Sequence, residues 1–277
     1  MAAWVALAGT TDLPIAEASA RTALDGAAEA RVVALPYKKL TADEEAHWAG
    51  ELKGAGAILL RSGYITASLL DRLPDLKVVA VHGAGVDPVD IDACTARGVQ
   101  VTNAPGANAN AVAELVFGLM LSLLRGIPGA AHKAKAERAW DAARVTGGEL
   151  RGRTLGLVGF GQIGRRVARI AQAFGMNVAA SDPAVADEAI RAEGVTPMSL
   201  TALLAESDIV SLHAPAIPAT RHMINAGTLA SMKPGAMLIN CARGALVDEA
   251  ALAAALTAGR LAAAALDVLE GEPPDPS

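Results

Sequence analysis

The sequence predicts an α/β protein with two doubly wound parallel sheets. Short apolar segments, of the length of buried strands, alternate with helical segments along most of the 277 residues. Such alternation implies parallel strands joined by right-handed crossovers. A cluster of turn-forming residues, Thr102-Asn103-Ala104-Pro105-Gly106, interrupts the pattern. We therefore expect one domain over residues 1–102 and a second over residues 103–277.

The first domain is predicted to contain five short strands. The segments are Trp4–Ala8, Arg31–Leu35, Ala57–Leu60, Lys77–Val81 and Gln100–Thr102, with helices between them such as Thr66–Leu73 and Asp90–Arg97. Ligands of such sheets bind at the loops after the strands, and Arg61-Ser62-Gly63 and residues 82–87 (HGAGVD) are two such loops. The glycines of the second could present N–H groups to an anion, although an ordinary strand-to-helix turn fits as well.

The second domain is predicted to begin with two helices, at residues 109–125 and 128–140. The longest apolar run, Leu115–Leu124, covers half of the about 20 residues that a membrane span needs. We therefore expect no membrane partner, and a buried or interface helix at this position.

The segment Thr154–Phe174 has the pattern of a strand, a glycine-rich turn and a helix. Gly159, Gly161 and Gly164 follow the apolar strand in the spacing G-x-G-x-x-G. The helix after them carries an apolar stripe formed by Val167, Ile170, Ala171 and Phe174. In this spacing the first glycine permits a tight turn, the second lets backbone approach a pyrophosphate, and the third lets helix and strand pack closely. The segment predicts a Rossmann dinucleotide-binding unit.

Asp182 bears on which dinucleotide is bound. It ends the next apolar segment, 177–182, where a carboxylate can accept hydrogen bonds from the adenosine ribose. A carboxylate there would repel the 2′-phosphate of NADP, so the sequence favours NAD. Arg165 and Arg166 open the helix and could approach the pyrophosphate, or could equally be solvated helix charges.

The remaining segments continue the alternation of strands and helices. Strands are predicted at Asp208–Leu212, Met237–Asn240 and Ala262–Leu266, and helices at Ser199–Ala205 and Asp248–Ala258. Arg243, Asp267 and Glu272 all follow strands. Because ligands meet parallel sheets at the carboxyl ends of strands, these three residues are candidates for the site.

Composition narrows the class of protein. The net charge of −5 and the lack of a basic stripe give no reason to expect nucleic acid as a partner. The two cysteines, Cys94 and Cys241, lie far apart without the spacing of a metal site and suit a reducing cytosol. No signal peptide is evident, so we expect a cytoplasmic protein without a bound metal.

Several motifs in order make the chain resemble the D-isomer-specific 2-hydroxyacid dehydrogenases, most closely the phosphoglycerate dehydrogenase branch. The motifs are HGAGVDPVD (82–90), VTNAPGANANAVAEL (101–115), LGLVGFGQIGRRVA (155–168), SLHAPAIPAT (211–220), MKPGAMLINCARGALVDEAAL (232–252) and AAALDVLEGEPP (263–274). The resemblance implies hydride exchange between NAD and a 2-hydroxy or 2-keto acid. It also implies a flavodoxin-like first domain without its usual C-terminal return helix, and a homodimer formed through helices at 109–140.

The resemblance assigns roles to the candidate residues. Arg243 would clamp the substrate carboxylate and carbonyl beside the cofactor, Glu272 would orient a catalytic histidine, and Asp267 would bind the nicotinamide carboxamide. The remaining cofactor contacts would come from Gln162, Ile163, Cys241, Ala242, Ala84, Ala214 and Pro215, with Cys241 as inert packing. The substrate contacts would come from Arg61, Ser62, Gly83, Ala84, Gly85 and Asn108.

The sequence leaves open which acid is the substrate and which residue carries the proton. Gly63 stands where a second cation could bind a phosphate, so 3-phosphoglycerate and small acids such as glyoxylate or hydroxypyruvate both remain candidates. The family histidine lies in a Pro-His-x-Gly stretch that the printed chain, ending at Ser277, does not contain. As printed, we expect the chain to bind NAD but to transfer hydride slowly. A non-catalytic NAD-binding regulator or corepressor is the alternative, and the presence of Arg243 and Glu272 argues against it.

Overall fold

The chain folds into two compact units, Met1–Asn108 and Ala109–Ser277, in a computed structural model that describes residues 4–138 and 147–271. The division lies just after the turn-forming cluster at 102–106. Each unit has its own parallel sheet and its own apolar core.

The first unit contains a five-stranded parallel sheet in the order β2-β1-β3-β4-β5. Its strands are β1 (Trp4–Ala8), β2 (Ala30–Val33), β3 (Ala55–Leu60), β4 (Val78–Val81) and β5 (Gln100–Thr102). This order is that of flavodoxin-like sheets, which place their ligands at the carboxyl ends of the strands.

Four helices cover this sheet, and side-chain caps fix where three of them begin. They are α1 (Glu17–Leu24), α2 (Ala42–Glu51), α3 (Ala67–Leu70) and α4 (Ile91–Ala96), with caps from Thr41, Thr66 and Asp90. Helix α3 is shorter than the predicted Thr66–Leu73, because the N–H groups of Arg72 and Leu73 bond the carbonyls three residues back, Leu69 and Leu70, in tighter turns.

One buried carboxylate joins α2 to α3. Glu45 is 6% exposed and accepts hydrogen bonds from the hydroxyls of Thr66, at 2.6 Å, and Ser68, at 2.5 Å. Those bonds, from Ser68 first and then Thr66, hold the pKa of Glu45 below its usual value. Glu45 therefore fastens the start of α3, which follows the Arg61-Ser62-Gly63 loop.

The second unit contains a six-stranded parallel sheet in the order β11-β10-β9-β6-β7-β8. Its strands are β6 (Thr154–Val158), β7 (Asn177–Ser181), β8 (Thr196–Pro197), β9 (Ile209–Leu212), β10 (Ala236–Asn240) and β11 (Leu261–Leu266). Numbered from β6, this is the order 3-2-1-4-5-6 of Rossmann sheets, as predicted.

The helices of the second unit differ from the predicted ones mainly after residue 125. They are α5 (Ala109–Arg125), α6 (Ile127–His132), α7 (Gln162–Ala173), α8 (Asp187–Arg191), α9 (Leu200–Glu206), α10 (Ala226–Ser231) and α11 (Glu249–Thr257). The predicted helix at 128–140 is instead α6 followed by a π-helical turn, Lys133–Glu137, and Trp140 lies outside the described residues. Gly126, at φ +59°, separates α5 from α6.

No single helix in the described ranges is long and apolar enough to cross a membrane. The length and composition of a span are reached only when Ala109–Arg125 and Ile127–Ala136 are joined across a bend of 64°.

Phe174 does not belong to the buried stripe of α7. The helix ends at Ala173, and the Phe174 ring is 41% exposed and stacks on Phe117 with 5.2 Å between centroids. Val167 and Ala171 are fully buried, as the stripe predicts. Phe174 is the C-cap residue, in helical conformation with its N–H bonded to the carbonyl of Ile170, and its ring packs on Phe117 of α5.

Candidate functional site

A cavity of about 800 Å³ lies at the carboxyl ends of β6, β7 and β9 in the second unit. It includes backbone of the glycine turn, the Asp182 carboxylate and apolar side chains. The lining includes Gly161, Asp182, Pro197, Met198, Ile217 and Thr220. The strand order reverses between β6 and β9, and ligands of open α/β sheets bind at such a switch point.

The three glycines of the turn after β6 are required for different reasons. Gly159 has φ +98°, and a Cβ there would lie 2.7 Å from the carbonyl carbon of His213. A Cβ on Gly164 would overlap the carbonyl oxygen of Gly159. A Cβ on Gly161 would meet no atom within 4 Å, because this residue faces the cavity. Two glycines therefore serve packing, and the third leaves room for a ligand.

The start of α7 provides N–H groups rather than side-chain charges. No side chain caps this helix. The Arg165 guanidinium bonds Glu193 at 2.9 Å and lies 4.8 Å from the Phe160 ring centroid. Arg166 donates to Asn110 Oδ1 at 2.6 Å. Because both arginines are held by protein partners, an anion at this helix end would meet backbone N–H groups.

Asp182 holds the glycine turn as well as lining the cavity. Its Oδ2 accepts from the N–H of Phe160 at 2.7 Å, and its Oδ1 accepts from the N–H of Ala184 at 2.9 Å. Each carboxylate oxygen can accept a further bond, so ribose hydroxyls can still bind. The cavity volume, the uncapped helix and this carboxylate together fit a dinucleotide. The bond to Phe160 is not visible in the sequence.

His213 and Cys241, two residues of this region, are uncharged near neutral pH. Burial lowers the pKa of His213 to about 4, and its Nε2 lies 3.0 Å from the Ser211 hydroxyl. Burial, and then the charge of Asp267, raise the pKa of the Cys241 thiol to about 12. His213 is therefore uncharged, and Cys241 lacks the thiolate that a nucleophile needs.

Arg243 follows β10 in a turn that Asn240 fixes. Asn240 is fully buried, and its Oδ1 accepts from the N–H of Ala242 at 3.0 Å. Its Nδ2 donates to the carbonyl of Arg243 at 2.9 Å. The guanidinium of Arg243 donates to the carbonyl of Ala242 at 2.7 Å. We did not identify Asn240 from the sequence, although an Asn at a strand end is a common turn-forming signal.

The segment after β11 is fastened to the turn after β10. A Cβ on Gly244 would overlap the backbone of Leu269 and Glu270. The Glu270 carboxylate accepts from His222 Nε2 at 2.9 Å and from Arg221 at 2.5 Å, and these contacts lower its pKa. The exposed Asp267 donates its N–H to the carbonyl of Asn240 at 2.9 Å. Glu272, predicted as a catalytic residue, lies outside the described residues.

The loop after β4 in the first unit is held by residues 103 and 104. The carbonyls of Gly83 and Ala84 accept hydrogen bonds from Ala104 N–H, at 2.9 Å, and from Asn103 Nδ2, at 2.6 Å. Within the described ranges, the N–H groups of residues 84–86 donate no hydrogen bond. Such N–H groups can bind an anion, and an ordinary strand-to-helix turn fits these contacts as well.

The loop after β3 holds the other substrate candidates of the first unit. Arg61 is exposed, whereas Ser62 is 1% exposed and its Oγ has no partner in the part of the chain described. Gly63 has φ +102°, and a Cβ there would overlap the fully buried Leu35. Position 63 therefore has no room for a cationic side chain. Asn108 is exposed at the end of the unit.

Comparison with known proteins identifies the family. Residues 117–277 match the model of the D-isomer specific 2-hydroxyacid dehydrogenase, NAD binding domain. The chain belongs to this family. The match confirms the resemblance drawn from the motifs, the Rossmann fold of the second unit and NAD as the cofactor.

The similar proteins act on several acids. The chain is 43% identical over 226 residues to a D-3-phosphoglycerate dehydrogenase of Methanocaldococcus jannaschii, a match that covers 81% of this chain and 43% of the relative. It is 44% identical over 210 residues to a hydroxypyruvate reductase of Thermotoga maritima, covering 76% of this chain and 67% of that one. The chain thus spans less than half the length of the phosphoglycerate dehydrogenases that it matches.

Solved structures of the family share the fold over nearly the whole chain. A glyoxylate reductase from Paecilomyes thermophila is 33% identical with a TM-score of 0.84, covering 100% of this chain and 84% of that one. A D-lactate dehydrogenase from Aquifex aeolicus, complexed with NAD and lactic acid, is 32% identical with a TM-score of 0.82, covering 97% and 78%.

Proposed function

We propose that this chain exchanges hydride between NAD and a D-2-hydroxy or 2-keto acid. The observation that carries the proposal is the turn after β10. There the buried Asn240 fixes the backbone of Arg243, on the same edge of the sheet as the glycine turn and Asp182. A guanidinium beside a dinucleotide site can bind a carboxylate and polarise the adjacent carbonyl.

The cofactor would be held mainly by backbone. The N–H groups of Gln162 and Ile163 at the start of α7 would bind the pyrophosphate, and the open face of Gly161 would admit it. Asp182 would accept hydrogen bonds from the adenosine ribose. Further contacts would come from Ala84, Ala214, Pro215, Cys241, Ala242 and Asp267, the last at the nicotinamide carboxamide.

Bound NAD supplies the hydride acceptor, and the chain supplies the groups that orient the acid. Arg243 would bind the substrate carboxylate and stabilise the charge that develops on the carbonyl oxygen during reduction. Glu272 would act on a histidine of the family's Pro-His-x-Gly stretch. For the first unit, we propose that Arg61, Ser62, Asn108 and the backbone of residues 83–85 bind the acid.

Two classes of substrate follow from different observations. Similarity to D-3-phosphoglycerate dehydrogenases favours a phosphorylated acid. The closed position at Gly63, packed on Leu35, favours a small acid such as glyoxylate or hydroxypyruvate, because it excludes a second cation beside Arg61. The hydroxypyruvate reductase among the relatives agrees with the small acid.

The test combines binding and turnover. NADH binding is measured by fluorescence, and NADH oxidation with glyoxylate, hydroxypyruvate and 3-phosphohydroxypyruvate, for the chain and for Arg243→Gln. We expect Arg243→Gln to keep the NADH affinity and to lose at least ~100-fold in activity, as removal of a charge-stabilising donor typically does. Tight NADH binding without turnover on any acid, in a protein that carries the histidine, would instead favour a regulator.

Assembly and location belong to the same proposal. We propose a homodimer through α5 and α6, whose exposed apolar side chains include Leu115 and Ile127, and a cytoplasmic protein. Light scattering of the purified chain tests the first point.

A further inference from the structure

One loop forms a wall of the NAD cavity. Residues 214–220, which follow β9, contribute Ala214, Pro215, Ile217, Ala219 and Thr220 to the lining. Ile217 is 49% exposed, a large apolar side chain that packing within the unit does not cover. We call this segment the 214–220 loop.

The hydroxyl of Thr220 links the end of this loop to its beginning and middle through hydrogen bonds. Thr220 Oγ1 accepts a hydrogen bond from the N–H of Ile217 at 2.9 Å and lies 2.6 Å from the carbonyl oxygen of Pro215, to which it donates. The carbonyl of Ile217, at 3.1 Å, is the longer alternative for the one proton of the hydroxyl. The N–H of Thr220 also donates to the carbonyl of Ile217 at 2.9 Å. Thr220 therefore fixes the backbone on both sides of the Ile217 wall.

The apolar lining of the cavity near Asp182 suits the adenine ring. Pro183, Ile190, Pro197 and Met198 line the cavity beside or after β7 and β8, as Asp182 does. A flat heteroaromatic ring can pack on this apolar lining and on Ile217, whereas the nicotinamide end would lie toward Arg243 after β10. The 214–220 loop is thus placed against the adenosine half of NAD.

We propose that Thr220 is a positioning residue for the adenosine half of NAD, acting by holding the 214–220 loop against the cavity. The inference rests on the NAD site of the proposed function. It predicts that losing the hydroxyl weakens the binding of adenosine-containing ligands and leaves the binding of the nicotinamide half unchanged.

The experiment titrates NADH, AMP and reduced nicotinamide mononucleotide against the full chain and three variants. Thr220→Val keeps the shape and removes the hydroxyl, Thr220→Ser keeps the hydroxyl, and Thr257→Val is the control. The control hydroxyl bonds only the carbonyl of Ala253 within α11 and is exposed. Melting temperatures establish that each variant is folded, and Thr220→Ala replaces Thr220→Val if the latter is not.

We expect Thr220→Val to raise the Kd of NADH and of AMP about tenfold, as the loss of one or two hydrogen bonds typically does. Thr220→Ser and Thr257→Val should stay within about twofold of the wild type, and reduced nicotinamide mononucleotide should bind all variants alike. An unchanged Kd for NADH in folded Thr220→Val, or equal weakening of all three ligands, would overturn the proposal. A wild-type chain that binds no NADH would refute the NAD site itself.

Discussion

At the scale of the residue, Asn240 determines where Arg243 lies. Its amide bonds both sides of the turn, accepting from Ala242 N–H and donating to the Arg243 carbonyl, and it does so from a fully buried position. Buried polar groups in such positions cannot exchange their partners for water. The guanidinium should therefore lose its fixed backbone when the amide is removed.

We expect Asn240→Ala to weaken the binding of glyoxylate to the NADH complex about tenfold or more while the Kd of NADH changes less than twofold. The unfolding free energy should fall by about 1–3 kcal/mol, because the Ala242 N–H and the Arg243 carbonyl each lose a hydrogen bond to a fully buried amide. Asn177→Ala, at the exposed amino end of β7, is the matched control. Unchanged acid binding in Asn240→Ala would contradict the role given to the amide.

Glu45 offers a prediction about pH. Its folded-state pKa is lowered by the bonds from Ser68 and Thr66. A lowered pKa adds stability at pH values above the unfolded pKa of about 4.3, and this stability is lost as the pH falls through the folded pKa. At pH 7, Glu45→Gln should therefore be less stable than the wild type by about 1–3 kcal/mol.

The difference should shrink when urea unfolding is repeated below pH 4. Glu51→Gln, on the same helix but exposed, should show no such difference at either pH. A gap between wild type and Glu45→Gln that stays constant with pH would mean that the carboxylate charge is not involved.

At the scale of the element, the turn between β6 and α7 needs its glycines for two different reasons, packing and ligand binding. In Gly159→Ala the new Cβ would lie against the backbone of His213 and Ala214, which follow β9, at a φ of +98°. We therefore expect this variant to lose stability and NADH binding together. Gly161→Ala places a Cβ in open space at a negative φ of −77°. This variant should keep its melting temperature and still lose at least about tenfold in NADH affinity.

Thermal melts and NADH titrations of both variants test this. Gly152→Ala, whose Cβ would also meet open space but at φ +76° and away from the cavity, controls for backbone strain alone. Full NADH affinity in Gly161→Ala would show that the phosphates do not approach this residue.

The regular elements are largely readable from the sequence. β1, β5 and α5 have the predicted bounds, because their apolar patterns end at clear turn signals. The two-residue β8 was not predicted, since no periodicity exists over two residues. The stretch after Gly126 was predicted as one helix because composition does not distinguish a π-helical turn from a regular one.

The sequence predicts site residues only where they belong to a recognisable motif. The glycine turn, Asp182 and Arg243 follow from spacing and position, and the structure gathers them on one edge. The roles of Asn240 and Thr220, and the closure of Gly63 by Leu35, depend on contacts between segments. Such contacts have no local pattern, because the partner can lie anywhere along the chain.

At the scale of the whole molecule, two separate cores predict two unfolding transitions. The units Met1–Asn108 and Ala109–Ser277 each bury their own leucines, valines and isoleucines. Bound ligand stabilises the unit that holds it, by about 2.7 kcal/mol at 100 times the Kd. Calorimetry with NADH should therefore raise the transition of the second unit, which holds most of the proposed NAD contacts, more than that of the first. A single transition that shifts as a whole would mean that the units unfold as one.

The contact between Gly63 and Leu35 also limits which substitutions this chain can accept during evolution. A cation at position 63 would be the simplest way to gain a phosphate-binding group beside Arg61. That substitution overlaps a buried leucine and demands a left-handed backbone of a residue with a side chain. It becomes tolerable only after Leu35 has been shortened, a change that destabilises the first core. The order of the two substitutions is therefore constrained, and packing rather than the binding groups themselves limits the number of cations beside Arg61.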